Sequence, residues 1–271
     1  GVARIPPDTQ RRRERGGMNR TRIHWLVGDS LPEHAAMLEA VPGVGNVGKI
    51  VVDSLVDKHP SRTIGWILHP DFPPHSTLDG NGLVSPPRIN INSILLPNGR
   101  TVITVGGPLQ PMTAAGQHEI SEAILELASE SGTPQLLVLA GLAADPDDRE
   151  IHVICADAEV RKNLEANDIP VSREHPEAGM IGIAGLLISL SPLYGVPAVG
   201  LVAETMGAST DVLAADRLAS WIEAGLDLPL GLDLDSTEET ARKLIETMEV
   251  SGTIEETLSA PESEGSSDFY V

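Results

Sequence analysis

Val41-Pro42-Gly43-Val44-Gly45-Asn46-Val47-Gly48-Lys49 sets three glycines in a Gly-x-Gly-x-x-Gly spacing and follows them with a lysine. Glycines clustered in this way mark a backbone that turns tightly or passes close to another segment, because glycine has no Cβ to collide. Downstream, Val47, Ile50, Val51 and Leu55 recur at helical spacing, so the stretch predicts a turn that opens a helix. Upstream, residues 37–41 make a short, poor strand with Glu39 inside it. A dinucleotide fold requires such a turn after a long strand, answered by an acidic residue about 20 positions on at the end of the next strand. Asp71 stands 23 residues after Gly48, but it follows Pro70 and opens a Pro-rich segment. A phosphate-binding P-loop requires Ser or Thr after its lysine to hold the metal, and Ile50 stands there. Pro42, Gly43, Gly45, Asn46 and Gly48 are therefore read as a structural strand-to-helix turn, with a dinucleotide-dependent oxidoreductase kept as an alternative.

Working outward, apolar runs at residues 23–27, 61–69, 88–96, 101–105, 135–141, 151–156 and 196–203 read as strands. Asn98-Gly99 joins the third and fourth as a hairpin. The run at 135–141 is continuously apolar, as in a strand covered on both faces. Helical stripes occupy residues 117–131 (Ile120, Ala123, Ile124, Leu127, Ala128) and 211–224 (Ala214, Ala215, Leu218, Trp221, Ile222). A further helix is capped at Asp157. Residues 180–190 are apolar on all sides and include Gly182 and Gly185, which predicts a buried helix packed closely on its neighbours. Ser236-Thr237-Glu238-Glu239 has capping-box spacing and opens a last helix with Ala241, Leu244, Ile245 and Met248 aligned. Residues 71–87 read as an irregular surface segment. Strands alternating with helices predict one α/β domain over residues 21–250, with a largely parallel sheet and helices on both faces.

Charge bounds the partners. Thirty-nine acidic side chains against 19 basic ones give a formal net charge of −20, a field that repels nucleic acid and anionic lipid, so neither is an expected partner. Cys155 is the single cysteine, which leaves no intramolecular disulfide and fits a reducing cytoplasm. No apolar run reaches the roughly 18 residues of a membrane span. Residues 1–20 form a basic arm expected to be disordered. Residues 251–268 are rich in Glu, Ser, Gly and Thr and read as a flexible acidic tail, which ends in Phe269-Tyr270-Val271. The chain has two Phe and two Tyr, and one of each stands in these last three positions. They read as a docking peptide on a tether of roughly 18 residues with a reach of about 25 Å. Burying each ring contributes about 1.5–3 kcal/mol against an association cost of about 4–15 kcal/mol. One tail therefore binds weakly, and several tails on a homo-oligomer bind tightly through avidity.

Catalytic candidates are few. Gly28-Asp29-Ser30-Leu31 spells the nucleophile block of a hydrolase class, but such enzymes need a downstream Asp-x-x-His, and none occurs. Ser30 is expected in the loop leaving a strand. The histidines (His24, His34, His59, His69, His75, His118, His152 and His175) show no metal spacing and read mostly as surface or loop residues. Glu204 stands at the C-terminal edge of a predicted parallel strand, where ligands of open α/β sheets bind. It is the candidate of a phosphorylase- or hydrolase-like enzyme acting on a nucleoside or small amide; its structural alternative is a carboxylate that orients the following loop.

Four stretches in order carry a resemblance: Pro42-Gly43-Val44-Gly45-Asn46-Val47-Gly48-Lys49, Asp71-Phe72-Pro73-Pro74, Gly182-Ile183-Ala184-Gly185-Leu186-Leu187, and Leu201-Val202-Ala203-Glu204-Thr205 followed by Asp211 and Ala214-Ala215. In these the chain resembles the ATP-independent proteasome assembly chaperones, in particular the archaeal and bacterial relatives of proteasome assembly chaperone two. The resemblance implies a nucleoside-phosphorylase-like fold, a binding protein rather than an enzyme, and no cofactor. Archaeal members end in a hydrophobic-Tyr-any motif that docks between proteasome α-subunits, and Phe269, Tyr270 and Val271 match it position for position. Where the family often carries Gly-x-Asn-Gly or Gly-x-Thr-Gly, this chain has Gly182-Ile183-Ala184-Gly185, without the polar side chain a small ligand would use.

Overall fold

Met37–Ala40 (β2), a poor strand by sequence, is the middle of the molecule: all four residues are buried. The computed structural model describes residues 19–78, 80–145, 147–174, 179–207 and 210–234. Residues 1–18, the capping box at 236–239, the acidic tail and Phe269-Tyr270-Val271 lie outside them. β2 pairs in parallel with Thr101–Gly106 (β7) on one side and Leu136–Ala143 (β8) on the other. Ala198–Thr205 (β10) adds in parallel to β8.

Antiparallel strands flank this parallel centre. Ile89–Leu95 (β6) joins β7 through the Asn98-Gly99 turn, with Gly99 at φ 83°, as the dipeptide predicted. Ser61–Leu68 (β3) and Arg22–Trp25 (β1) continue outward from β6, and Ile151–Ile154 (β9) runs antiparallel to β10 at the far edge. The order is β1-β3-β6-β7-β2-β8-β10-β9; β3, β7, β2, β8 and β10 point one way and β1, β6 and β9 the other. Within the segment read as irregular, Thr77–Leu78 (β4) and Val84–Ser85 (β5) form a small separate ribbon.

Helices cover both faces, because side chains alternate along each buried strand. Val47–Lys58 (α1) and Val212–Leu226 (α5) pack Ile50, Val51, Leu55, Ala215, Leu218 and Ile222 over Leu38, Leu137 and Leu201. Ala158–Ala166 (α3), capped by the Asp157 carboxylate as expected, adds Leu164 to this layer. On the opposite face Ala114–Glu130 (α2) and Gly182–Tyr194 (α4) pack Ile120, Ile124, Ile183 and Leu187 over Met37, Val105 and Val138. The expectation of a buried helix at 180–190 is corrected here. α4 lies on the surface with Ile183, Leu187, Ile188 and Ser191 turned inward, while Ile181, just before it, is 88% exposed and Leu193 78%. Uniform apolarity concealed which side meets the sheet. No helix among the described residues is long and apolar enough to cross a membrane.

Candidate functional site

The glycine-rich turn is built by close approach. After β2 the chain passes Pro42 and Gly43 into a single 3-10 turn, Val44–Asn46, in which Gly45 (φ 61°) and Asn46 (φ 49°) are left-handed. Asn at the second of these positions keeps the strain small, and its Oδ1 accepts from the Gly43 N–H at 3.3 Å. A Cβ on Gly48 would stand 2.4 Å from the Leu139 carbonyl oxygen, one on Gly141 2.1 Å from that of Val44, and one on Gly45 2.6 Å from Thr205 Oγ1. The turn therefore rests directly on β8 and β10, and glycine is needed because backbone fills the space a side chain would take.

The four recognisable stretches meet at this end of the sheet. Thr205 donates to Asp211 Oδ2 at 2.7 Å, the Asp211 N–H donates to the Gly45 carbonyl at 2.9 Å, and Asp211 Oδ1 accepts from the Ala214 N–H at 2.9 Å. One aspartate thus caps α5 and ties it to the glycine turn. Across from the turn, Gln110 Nε2 donates to the Pro42 carbonyl, and Gly182 (φ 77°) opens α4 close to the side-chain oxygens of Gln110 and Gln117. Between them lies a largely apolar cleft of about 470 Å³ lined by Val41, Val44, Ala140, Met180, Ile181 and Gln110 among others.

The Asp71 stretch anchors the start of α2. Arg20 donates to both Asp71 oxygens at 2.9 and 2.8 Å and to Glu119 at 3.0 Å. The Asp71 N–H donates to His69 Nδ1 at 3.0 Å, which places the ring proton on Nε2, 2.8 Å from Glu119. Thr113 donates to Asp71 while accepting from the Gly116 N–H at the head of α2. Burial pushes Glu119 up, but the hydrogen bonds from Arg20 and His69 outweigh it and hold its carboxyl at about 2. Hydrogen bonds from Arg20 and then Thr113 hold Asp71 below the usual carboxylate range. Asn19 and Arg20, placed in the arm by sequence, are thus part of the fold: Asn19 also donates to the Glu119 carbonyl at 2.8 Å.

The charged candidates near the turn are engaged with one another. Lys49 is buried and donates to Asp53 one turn along α1. Glu204 accepts from the Glu150 N–H at 2.8 Å and bonds His152 Nε2 at 3.0 Å, which is the loop-orienting arrangement. Ser30 sits exposed after β1 and bonds its neighbour Asp29 at 3.3 Å. His34, His69 and His152 are buried, His34 and His69 in loops and His152 within β9, whereas His24 and His118 are exposed. Sequence reasoning missed Glu39 altogether as a site residue. It is 1% exposed, and neither carboxyl oxygen has a hydrogen-bond partner among the described residues. Burial pushes it up to about 8. Its one sequence signal was a lone acid in a short apolar strand.

The model of the PAC2 family matches residues 37–249, from the first residue of β2 onward, and the chain belongs to that family. The uncharacterized protein MJ1210 of Methanocaldococcus jannaschii is 28% identical over 185 residues, covering 68% of this chain and 70% of its own. Among solved structures, Pyrococcus furiosus PbaB, an archaeal proteasome activator, gives a TM-score of 0.69 at 21% identity, covering 86% of this chain and 99% of its own. Pyrococcus furiosus PbaA, an archaeal homolog of proteasome-assembly chaperone, gives 0.66 at 22% identity, covering 87% and 99%. These likenesses establish the α/β fold.

Proposed function

We propose that this chain is a proteasome-directed binding protein: an ATP-independent assembly chaperone or regulator that docks on the proteasome α-ring through Phe269, Tyr270 and Val271. The observation that carries this reading is the pairing of fold and tail. PbaA and PbaB, whose names connect them to proteasome assembly and activation, share the fold over 99% of their lengths, and this chain ends in hydrophobic-Tyr-any. The engaged side chains at the sheet end support a binding role rather than a catalytic one. Glu204 holds a loop, Lys49 holds Asp53, and Asp71 holds Arg20 and Thr113. The exposed apolar side chains of Ile181, just before α4, and Leu193 on it support self-association, which would present several tails together.

The test is capture of proteasome α-rings and of complete core particles by the full chain and by Tyr270→Ala. Capture of α-rings alone, lost in the variant, is the result expected of an assembly factor. Capture of both, lost in the variant, is the result expected of a regulator. Undiminished capture by Tyr270→Ala would sink the tail-docking reading.

A further inference from the structure

We propose that Glu150, His152 and Glu204 form a site for a divalent first-row transition-metal ion. The register of the edge strands creates it. β9 runs antiparallel to β10 with Val202 opposite His152 and Ala203 opposite Ile151, and the Glu204 N–H donates to the Glu150 carbonyl at 3.0 Å, one step further along. Residues two apart share a face of an extended chain and diagonal neighbours reach one another, so three side chains converge from β10, β9 and the residue just before β9. One donor atom from each lies within 4.8 Å of the others.

The donor set suits a metal in kind and in spacing. One imidazole and two carboxylates carry two negative charges when the ring is neutral, and mixed nitrogen and oxygen ligation favours zinc, manganese, iron or cobalt over calcium. A metal about 2.0–2.2 Å from nitrogen and oxygen ligands separates adjacent donors by roughly 3 Å. His152 Nε2 and Glu204 Oε1 stand 3.0 Å apart. These two side chains are only 7% and 13% exposed and are held by the sheet. Glu150 is exposed, so it can swing inward and leave further positions for water.

An outer contact orients the ring. Ser172 Oγ lies 3.5 Å from His152 Nδ1, and Ser172 is itself fixed by its N–H to the Val153 carbonyl at 2.8 Å. Metal-binding histidines commonly donate their second ring N–H to such a partner. When the metal takes Nε2, the proton shared with Glu204 moves through solvent to Nδ1, where Ser172 accepts it, so a neutral ring releases no net proton. Arg217 donates to the Glu204 carbonyl at 2.8 Å, and its nearby charge, with one ligand exposed, makes the site weaker than a fully buried one.

The experiment is calorimetric titration of the chelator-treated full chain with Zn²⁺. Wild type is expected to show a site with one ion per chain. That site is expected to weaken by more than about tenfold in His152→Ala and by about tenfold in Glu150→Gln, and to persist in His118→Ala, which alters the exposed His118–Glu122 pair. Glu150 lies on the surface, so Glu150→Gln keeps the test valid if His152→Ala fails to fold; melting curves report this. Absence of saturable Zn²⁺ binding, or an unchanged isotherm in Glu150→Gln, would reduce the cluster to a hydrogen-bonded tie between two strands.

Discussion

Glu39 on the middle strand and Glu119 on helix α2 are carboxyl groups on the same side of the sheet with opposite surroundings. Glu39 stands opposite Val105 and Val138 with no hydrogen-bond partner among the described residues, and burial alone raises it to about 8. Glu119 gathers Arg20 and His69 and is held at about 2. Burial without partners favours the neutral acid, whereas hydrogen-bonded cations favour the anion. The difference separates two kinds of construction. The rim of the sheet is joined by charge, tying the first described residues, the Asp71 loop and α2 into one network. The centre, beneath Val41 and the apolar cleft, stays neutral and tolerates an acid at a cost.

That contrast gives opposite pH dependences. Glu39 contributes stability that is fully present below its ordinary value of 4.5 and is lost as the pH rises towards about 8. The largest expected effect is therefore Glu39→Gln at pH 7.5, which should raise unfolding stability by about 4 kcal/mol and the melting temperature by about 8–16 °C. At pH 4.5 variant and wild type should melt together. A variant no more stable at pH 7.5 would show that Glu39 has partners in solution. Glu119 behaves in the reverse sense: its contribution is present above 4.5 and lost as the pH falls through about 2. Glu119→Gln should lower the neutral melting temperature by a few degrees, with the gap narrowing as the solution is acidified below pH 4.5. A gap that widens in acid contradicts the network. The smallest effect belongs to Arg20→Ala. Arg20 is 42% exposed, so it should cost a degree or two in melting temperature and fade in high salt, unlike the salt-insensitive gain at Glu39.

What could be read in the sequence was local, and what could not was set by register. Glycine spacing, the Asn98-Gly99 hairpin, the Asp157 cap and the alternation of strands and helices all state their geometry within a few residues. β2 reads as a poor strand because Glu39 sits inside its four residues, and nothing local reveals that both neighbouring strands pair with it. Arg20, His69, Asp71 and Glu119 span about a hundred positions and meet only through the fold. Glu204 stands at a strand end that its sequence makes plain, but its partners are His152 of β9 and Glu150 just before it, and the antiparallel pairing of β9 is not announced by its sequence. The glycines demanded a turn whatever the ligand; Leu139, Val44 and Thr205 show what they make room for.

The central claim is that this domain carries a docking tail and that its glycine-rich end is architecture. Sedimentation of proteasome core particles and α-rings with the full chain, and with a chain ending at Asp268, tests it most directly. Both chains should melt at the same temperature, and the shorter one should no longer co-sediment. Equal co-sedimentation of the two would contradict the account.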